Sequence, residues 1–257
     1  MHGGFEAEIA RLEVQAGLAW PQEARILSSV GLGDAGSVLD IGCGSGANLE
    51  RLAESAPGAR LVGVEPDERL RKLASERVAR AEVLAGSAEA LPLADGSVEF
   101  ATARYVFQHL ADPERAAREA LRVLRPAGTL AAIEVDGELW GIVQPHFPEA
   151  AEVQRMAWLA QRDRGGDRMI GRRLWRILSA AGFTDLSLQL FAYHSDDLGL
   201  DAFAPMIDPS GLLPLVERGV IGPVDYARAV HAYGRFRADP AAFVLLAGMV
   251  VSGRAPH

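Results

Sequence analysis

The chain has 257 residues, 49% of them hydrophobic, with 34 acidic and 26 basic side chains for a formal charge of -8, and one cysteine, Cys43. That length and apolar content supply a real core and exclude intrinsic disorder, while the negative balance and the lack of a long basic cluster speak against a nucleic-acid partner. A lone cysteine rules out an intrachain disulfide framework and a multi-cysteine metal site, and fits a reducing compartment.

The first residues lack a basic stretch followed by an apolar run, and Glu6 and Glu8 speak against a secretory signal. No charge-free apolar stretch reaches the roughly eighteen residues of a membrane span, so a cytoplasmic location without membrane insertion is expected. Phe5, Ile9, Leu12, Ala16 and Ala19 recur at helical spacing, and Pro21 is expected to separate this helix from a second one over 22–30. Residues 1–36 thus read as an N-terminal helical cover. Strand-like runs follow at 37–41, 60–64, 81–84, 98–103 and 129–135, with helical patterns at 48–56, 68–79 and 113–124 between them. The last of these helices has the clearest start: Asp112 can cap it, Pro113 suits its first position, and Ala117, Ala120, Leu121 and Leu124 form one apolar stripe. Alternation of this kind predicts an α/β fold with a mostly parallel sheet, helices on both faces, and ligand loops beyond the carboxyl ends of the strands.

After Val135 the rhythm changes. "DGELWGIVQPHF" reads as a loop, followed by a helix over 148–162, a break at Gly165 and Gly166, a helix over 171–181, and the alternating strand "DLSLQLFAY". Helical fragments broken by Pro205, Pro209, Pro214 and Pro223 fill 196–240 before a final strand at 243–251. With neither a repeat nor a low-complexity linker, 1–257 reads as one domain in which 196–240 is an elaboration.

The stretch "VLDIGCGSG" places Gly42, Gly44 and Gly46 directly after the first strand, where the backbone can take φ values or approach a ligand as a β-carbon would not allow. Its spacing is not that of the dinucleotide fingerprint, and no lysine followed by Ser or Thr marks a triphosphate loop. Glu65 closes the second strand, where a carboxylate can accept bonds from both hydroxyls of an adenosine ribose or simply open the Glu65-Pro66-Asp67 turn. Asp40 can orient the glycine turn as a buried acid, or reach a cationic ligand group through water.

These segments, with "GSAEALPLADGSVEF", "ATARYVFQHLADP" and "ALRVLRPAGTLAAIE", resemble the class I S-adenosylmethionine-dependent methyltransferases, especially the small-molecule enzymes related to the quinone and sterol methyltransferases. The resemblance covers roughly 37–136, which it makes the donor-binding core. It implies a Rossmann-like sheet with an antiparallel final strand, S-adenosylmethionine as methyl donor and S-adenosylhomocysteine as product. By the same resemblance the turn from Gly42 to Gly46 holds the methionine part and ribose, Glu65 binds the ribose hydroxyls, and Pro66 lies beside the adenine. Ser87 stands where the family frequently has aspartate and offers only a hydroxyl to the adenine amine, with Ala88 as the backbone contact. Arg104 contributes its carbonyl near the donor amino group, its side chain pairing with an acid or reaching the donor carboxylate.

A methyl acceptor needs alignment and water exclusion more than a metal or a protein nucleophile, and none of the scattered histidines suggests a metal site. His109, in the loop after the fourth strand, and His146, in the loop after the fifth, are the candidate bases, alongside packing roles for both. Tyr105 and Phe107 can form a nonreactive wall. Asp136, Trp140, Tyr193 and His194 sit at other expected edges of the pocket. Phe203, Met206, Ile207, Leu212 and Leu213 suit either a lid over a small, partly apolar acceptor or a homodimer contact. A noncatalytic donor-binding scaffold and, less favoured, a nucleic-acid methyltransferase are the competing readings; the glycine spacing disfavours a nicotinamide oxidoreductase.

Overall fold

The computed structural model describes residues 2–139 and 141–257. Strands β1 (Ser37–Ile41), β2 (Arg60–Glu65), β3 (Glu82–Ala85) and β4 (Val98–Arg104) alternate with helices α2 (Ala47–Ser55) and α3 (Glu68–Arg77), and α4 (Pro113–Val123) leads into β5 (Leu124–Glu134). β1 pairs in parallel with β2 on one side and β4 on the other, β3 extends the β2 side, and β5 extends the β4 side. The chain therefore reverses its direction of sheet growth between β1 and β4, the place where open α/β sheets hold ligands. All five β1 residues are buried, as a strand covered on both faces requires.

The last strand, β8 (Phe243–Arg254), runs antiparallel to β5. β7 (Thr184–His194) pairs along nearly the whole of β8, and short β6 (Gly141–Gln144) pairs with its 243–246 segment. The expected Rossmann-like architecture with an antiparallel final strand is present. Helices α5 (Pro148–Arg162) and α6 (Gly171–Ala181) lie between β6 and β7, and the segment between β7 and β8 contains short helices α7 (Ser195–Leu198), α8 (Ala204–Ile207) and α9 (Leu213–Glu217) before the long α10 (Pro223–Ala238).

Local chemistry sets several boundaries. The Asp67 side chain accepts from the amides of Arg69 and Leu70 to start α3, Asp112 accepts from the Arg115 amide to start α4, and Gly182 in the left-handed region ends α6. Two expectations are corrected. Pro21 does not break the N-terminal segment: α1 runs unbroken from His2 to Ser29. The proline removes one intrahelical bond, but Ala16, Ala19, Glu23, Ile26 and Leu27 form a buried stripe on both sides of it, and tertiary packing carries the helix through. The stretch after Asp136 is not wholly loop either, because Gly141–Gln144 finds an open edge on β8. Trp140 lies outside the described residues.

Gly46 has a packing role: at φ +84° it precedes α2, and a Cβ there would lie 2.8 Å from Ala74 Cα in α3. The absent side chain lets α2 and α3 pack closely. Gly46→Val is expected to lower the urea midpoint, since left-handed backbone and overpacking together cost on the order of 2–4 kcal/mol; an unchanged midpoint would show that α2 and α3 have room to separate.

Candidate functional site

Beyond the carboxyl ends of β1, β2 and β4 lies a cavity of about 550 Å³, within the ordinary range for small-molecule sites. Its lining includes Asp40, Gly42, Gly44, Asn48, Glu65, Pro66, Ser87, Ala88, Arg104, Tyr105, Gln108, His109 and Arg168, with Ala16 of α1 as part of its cover. The Gly42 and Cys43 amides both donate to the Val64 carbonyl, at 2.7 and 3.1 Å, which folds the turn against β2. Gly42 (φ +67°) has no room for a side chain, because a Cβ would sit 2.7 Å from Val106 Cγ2. At Gly44 (φ +56°) the same Cβ would meet no atom within 4 Å, so this glycine leaves its backbone open to the cavity.

Glu65 is buried, not a solvated turn residue. One carboxylate oxygen accepts from the Gly44 amide and the other from the Asp67 amide, each at 3.0 Å. A carboxylate has about four acceptor positions, so two remain for a ligand. Asp40 Oδ1 accepts from Asn48 Nδ2 at 2.8 Å and from Thr102 Oγ1 at 2.9 Å. Asp40 Oδ2 and Asn48 Oδ1 are buried and have no partner among the described residues. Two orphaned acceptors in one cavity call for a ligand rich in donors, and an α-ammonium group is such a ligand. Burial raises the Asp40 carboxyl to about 6, against the lowering effect of its Asn48 and Thr102 bonds. Burial, with the carboxylates of Asp40 and Glu65, also pushes the Cys43 thiol far up.

Arg104 closes β4 with its side chain turned to α1. Its Nε and one terminal nitrogen donate to the two Glu23 oxygens at 2.9 and 3.0 Å, and the side chains are only 8% and 0% exposed. The guanidinium also lies 4.4 Å from the centre of the Tyr105 ring. Of the two side-chain roles expected for Arg104, pairing with an acid is the one present. Tyr105 itself has φ +56°, a left-handed conformation that is rare for an aromatic residue, and its amide donates to the Ile133 carbonyl at 2.8 Å.

The loop after Tyr105 is tied down from several directions. The Gln108 amide donates to Glu134 Oε1 at 3.1 Å, its carbonyl accepts from Gln161 Nε2 at 2.9 Å, and its side-chain oxygen accepts from Arg168. His109 is exposed at the cavity rim, with Nδ1 3.5 Å from Gln161 Nε2. Burial raises Glu134 to about 8, with the Gln108 amide and Arg168 acting in the opposite sense.

His146, the other candidate base, lies apart from His109. Pairing of β6 with β8 carries the following residues to a second cavity, where His146 is part of the lining, and it is absent from the lining of the first. Asp136 is held by Arg172 at 2.5 Å and does not line the first cavity. Tyr193 stacks on Phe203 with centroids 5.6 Å apart, and His194 Nε2 faces Asp197 at 3.1 Å. Phe203 and Ile207 are buried core residues, whereas Leu213 is exposed. Sequence reasoning missed Asn48, Glu23, Gln108 and Arg168. Glu23 could have been found as the one acid within the apolar stripe of α1, and Asn48 by its place in the first turn of the helix that the glycine turn opens.

Residues 39–132 match the family model described as a methyltransferase domain. The chain is 38% identical over 154 residues to an uncharacterized 37.1 kDa protein in transposon TN4556 of Streptomyces fradiae, spanning 57% of this chain and 43% of that one. It is 36% identical over 101 residues to the demethylmenaquinone methyltransferase of Thermus thermophilus, spanning 38% of this chain and 46% of the relative. Among solved structures, an S-adenosylmethionine-dependent methyltransferase of Thermotoga maritima, described as a possible histamine N-methyltransferase, superposes with a TM-score of 0.54 at 26% identity, over 73% of this chain and 80% of that one. The fold is the Rossmann-like one found in class I methyltransferases. Residues 39–132 form a methyltransferase domain, similar over this stretch to that of the demethylmenaquinone methyltransferase.

Two outcomes follow from the buried charges. Glu23→Ala removes the carboxylate that accepts two of the buried Arg104 hydrogen bonds and is expected to destabilise the fold by about 3–5 kcal/mol in denaturant titration; a loss below about 1 kcal/mol would mean that water or another group takes over. Glu134 is raised from 4.5 to about 8, so between those values the folded state keeps a proton that the unfolded chain has released. Its contribution to stability must therefore fall as pH rises through that window. Glu134→Gln, which keeps an acceptor for the Gln108 amide, is expected to flatten the decline in stability between pH 5 and pH 8, measured by denaturation at a series of pH values.

Proposed function

We propose that the chain transfers a methyl group from S-adenosylmethionine to an oxygen, nitrogen or carbon of a small, partly apolar metabolite. The observation that carries this reading is the pair of orphaned buried acceptors, Asp40 Oδ2 and Asn48 Oδ1, in the same cavity as the Glu65 carboxylate and the open backbone of Gly44. When bound, the donor supplies a methyl group on a sulfonium sulfur. Asp40 and Asn48 accept from its ammonium group, and Glu65 uses its remaining lone pairs for the ribose hydroxyls. Pro66 and Ala88 flank the adenine, and the Ser87 hydroxyl serves its amine. Arg104 is committed to Glu23, so its side chain positions α1 over the cavity.

Tyr105, Gln108 and His109 form the side from which an acceptor is presented. Positioning and exclusion of water supply most of the rate, and His109 takes the proton when the accepting atom carries one. The strained backbone at Tyr105 fits a side chain held where chemistry needs it. The match to the Thermus enzyme spans only 101 residues, so its named acceptor is not carried over to this chain.

Titration calorimetry tests the donor assignment: S-adenosylmethionine and S-adenosylhomocysteine are expected to bind saturably, and NAD and ATP are not. Glu65→Ala is expected to weaken S-adenosylhomocysteine binding at least tenfold, since charge-assisted hydrogen bonds are each worth about 1.5–3 kcal/mol. Gly44→Ala places its methyl in open space and is expected to obstruct the ligand while retaining the circular dichroism of the parent. A preference for NAD, or full affinity in folded Glu65→Ala, defeats the assignment.

A further inference from the structure

The two outer strands of the sheet are finished differently. On one side β3 is four residues long and opens on Glu82, which pairs with Arg60 at 3.2 Å. Brevity and charge are ordinary protections of a sheet edge. On the other side β7 is eleven residues long and is paired by β8 along one flank, while its other flank meets no strand among the described residues. Residues 186–193 of β7 include neither a charge nor a proline. An open ladder of N–H and C=O groups of this length is a surface for a further strand.

The side chains of β7 suit the same use. Leu188 is 45% exposed and Leu190 66%. In register, Leu188 lies opposite Val251, Leu190 opposite Met249 and Ala192 opposite Ala247, and residues opposite one another in a ladder share a face. That face continues through Leu245 to Ile142 of β6, which is 59% exposed. Helix α6 covers it near Val251, where Leu174 and Leu178 belong to the same buried cluster. Leu190, Ala192 and Ile142 stay exposed.

We propose that β7 pairs antiparallel with β7 of a second copy of this chain, making one continuous sheet from two. Three features favour a second copy over an unrelated strand. An axis normal to the sheet at Gln189 sets Leu188 of each copy opposite Leu190 of the other, so the exposed leucines cover one another twice in a self-complementary joint. The same axis sets Gln189 against itself, and a side-chain amide, with donors and an acceptor, bonds well to its own kind. At a formal charge of -8 two copies repel at long range, and the uncharged run of 186–193 adds no repulsion of its own at the joint.

Sedimentation of the full chain tests this. Between roughly 1 and 100 µM the mass is expected to rise from one chain to two, as suits a joint of modest area. Leu188→Lys combined with Leu190→Lys brings ammonium groups of both copies together across the joint and is expected to weaken dimerisation at least about a hundredfold. Both positions are exposed, so the circular dichroism of the parent is expected to be retained. Leu188→Val combined with Leu190→Val keeps the strand apolar and is expected to leave the dissociation constant within about tenfold. Hydrogen exchange locates the joint without any substitution: amides within 184–194 are expected to exchange more slowly in the concentrated protein than in the dilute one. A monomer at every concentration, which leaves the edge to another protein, overturns the proposal. So does a dimer undiminished in the double lysine variant, or concentration-dependent protection that spares 184–194.

Discussion

The buried ion pair between Glu23 and Arg104 decides what kind of site this sheet can have. Arg104 stands at the carboxyl end of β4, beside the reversal in strand order, where a bare cation would be costly to bury. Glu23 meets it with two parallel hydrogen bonds from a helix distant in sequence. That pairing fixes the rotation of α1 about its axis, sets Ala16 over the cavity, and brings a helix across the open end of the strands. It also holds Nε and one terminal nitrogen of the guanidinium on an acid rather than toward the cavity.

The donor half of the molecule was legible in sequence for a physical reason. Strands buried on both faces must be short apolar runs, and the helices between them must show one apolar stripe; both patterns depend on neighbours close in sequence. Thus α6 is found at its predicted bounds and α5 likewise, while β5 extends back from its predicted start at 129 to Leu124. What stayed hidden depends on partners far away. Pro21 reads as a break until the buried stripe on its two sides is known, and Gly141–Gln144 becomes a strand only because β8 has a free edge there. His146 and His109 look alike in a linear reading, each in a loop after a strand, yet β6 sends one of them to a different cavity. Gly46 shows the same limit within a motif: it shares the glycine-rich turn with Gly44, but one faces Ala74 and the other faces open space.

The molecule divides into the segment that matches the family model and the segments outside it. The parallel strands and their turns place backbone amides, Asp40 and Glu65 with little freedom, because every one of them is held by the sheet or by a bond to a neighbouring turn. The lining of the second cavity is built differently, from the four-residue β6, helix α5 and short helical turns within 204–212. Such a surface can change its lining without disturbing the ladder of the sheet, so variation in ligand preference can accumulate there at small cost to folding.

Cys43 gives the chain one further property. It is the single cysteine in the sequence, it is buried in the turn after β1, and burial together with two nearby carboxylates keeps its thiol protonated. Thiolate chemistry is correspondingly suppressed. A cysteine introduced on the surface is therefore expected to react with maleimides well ahead of Cys43, which gives a preferred attachment point for a spectroscopic label.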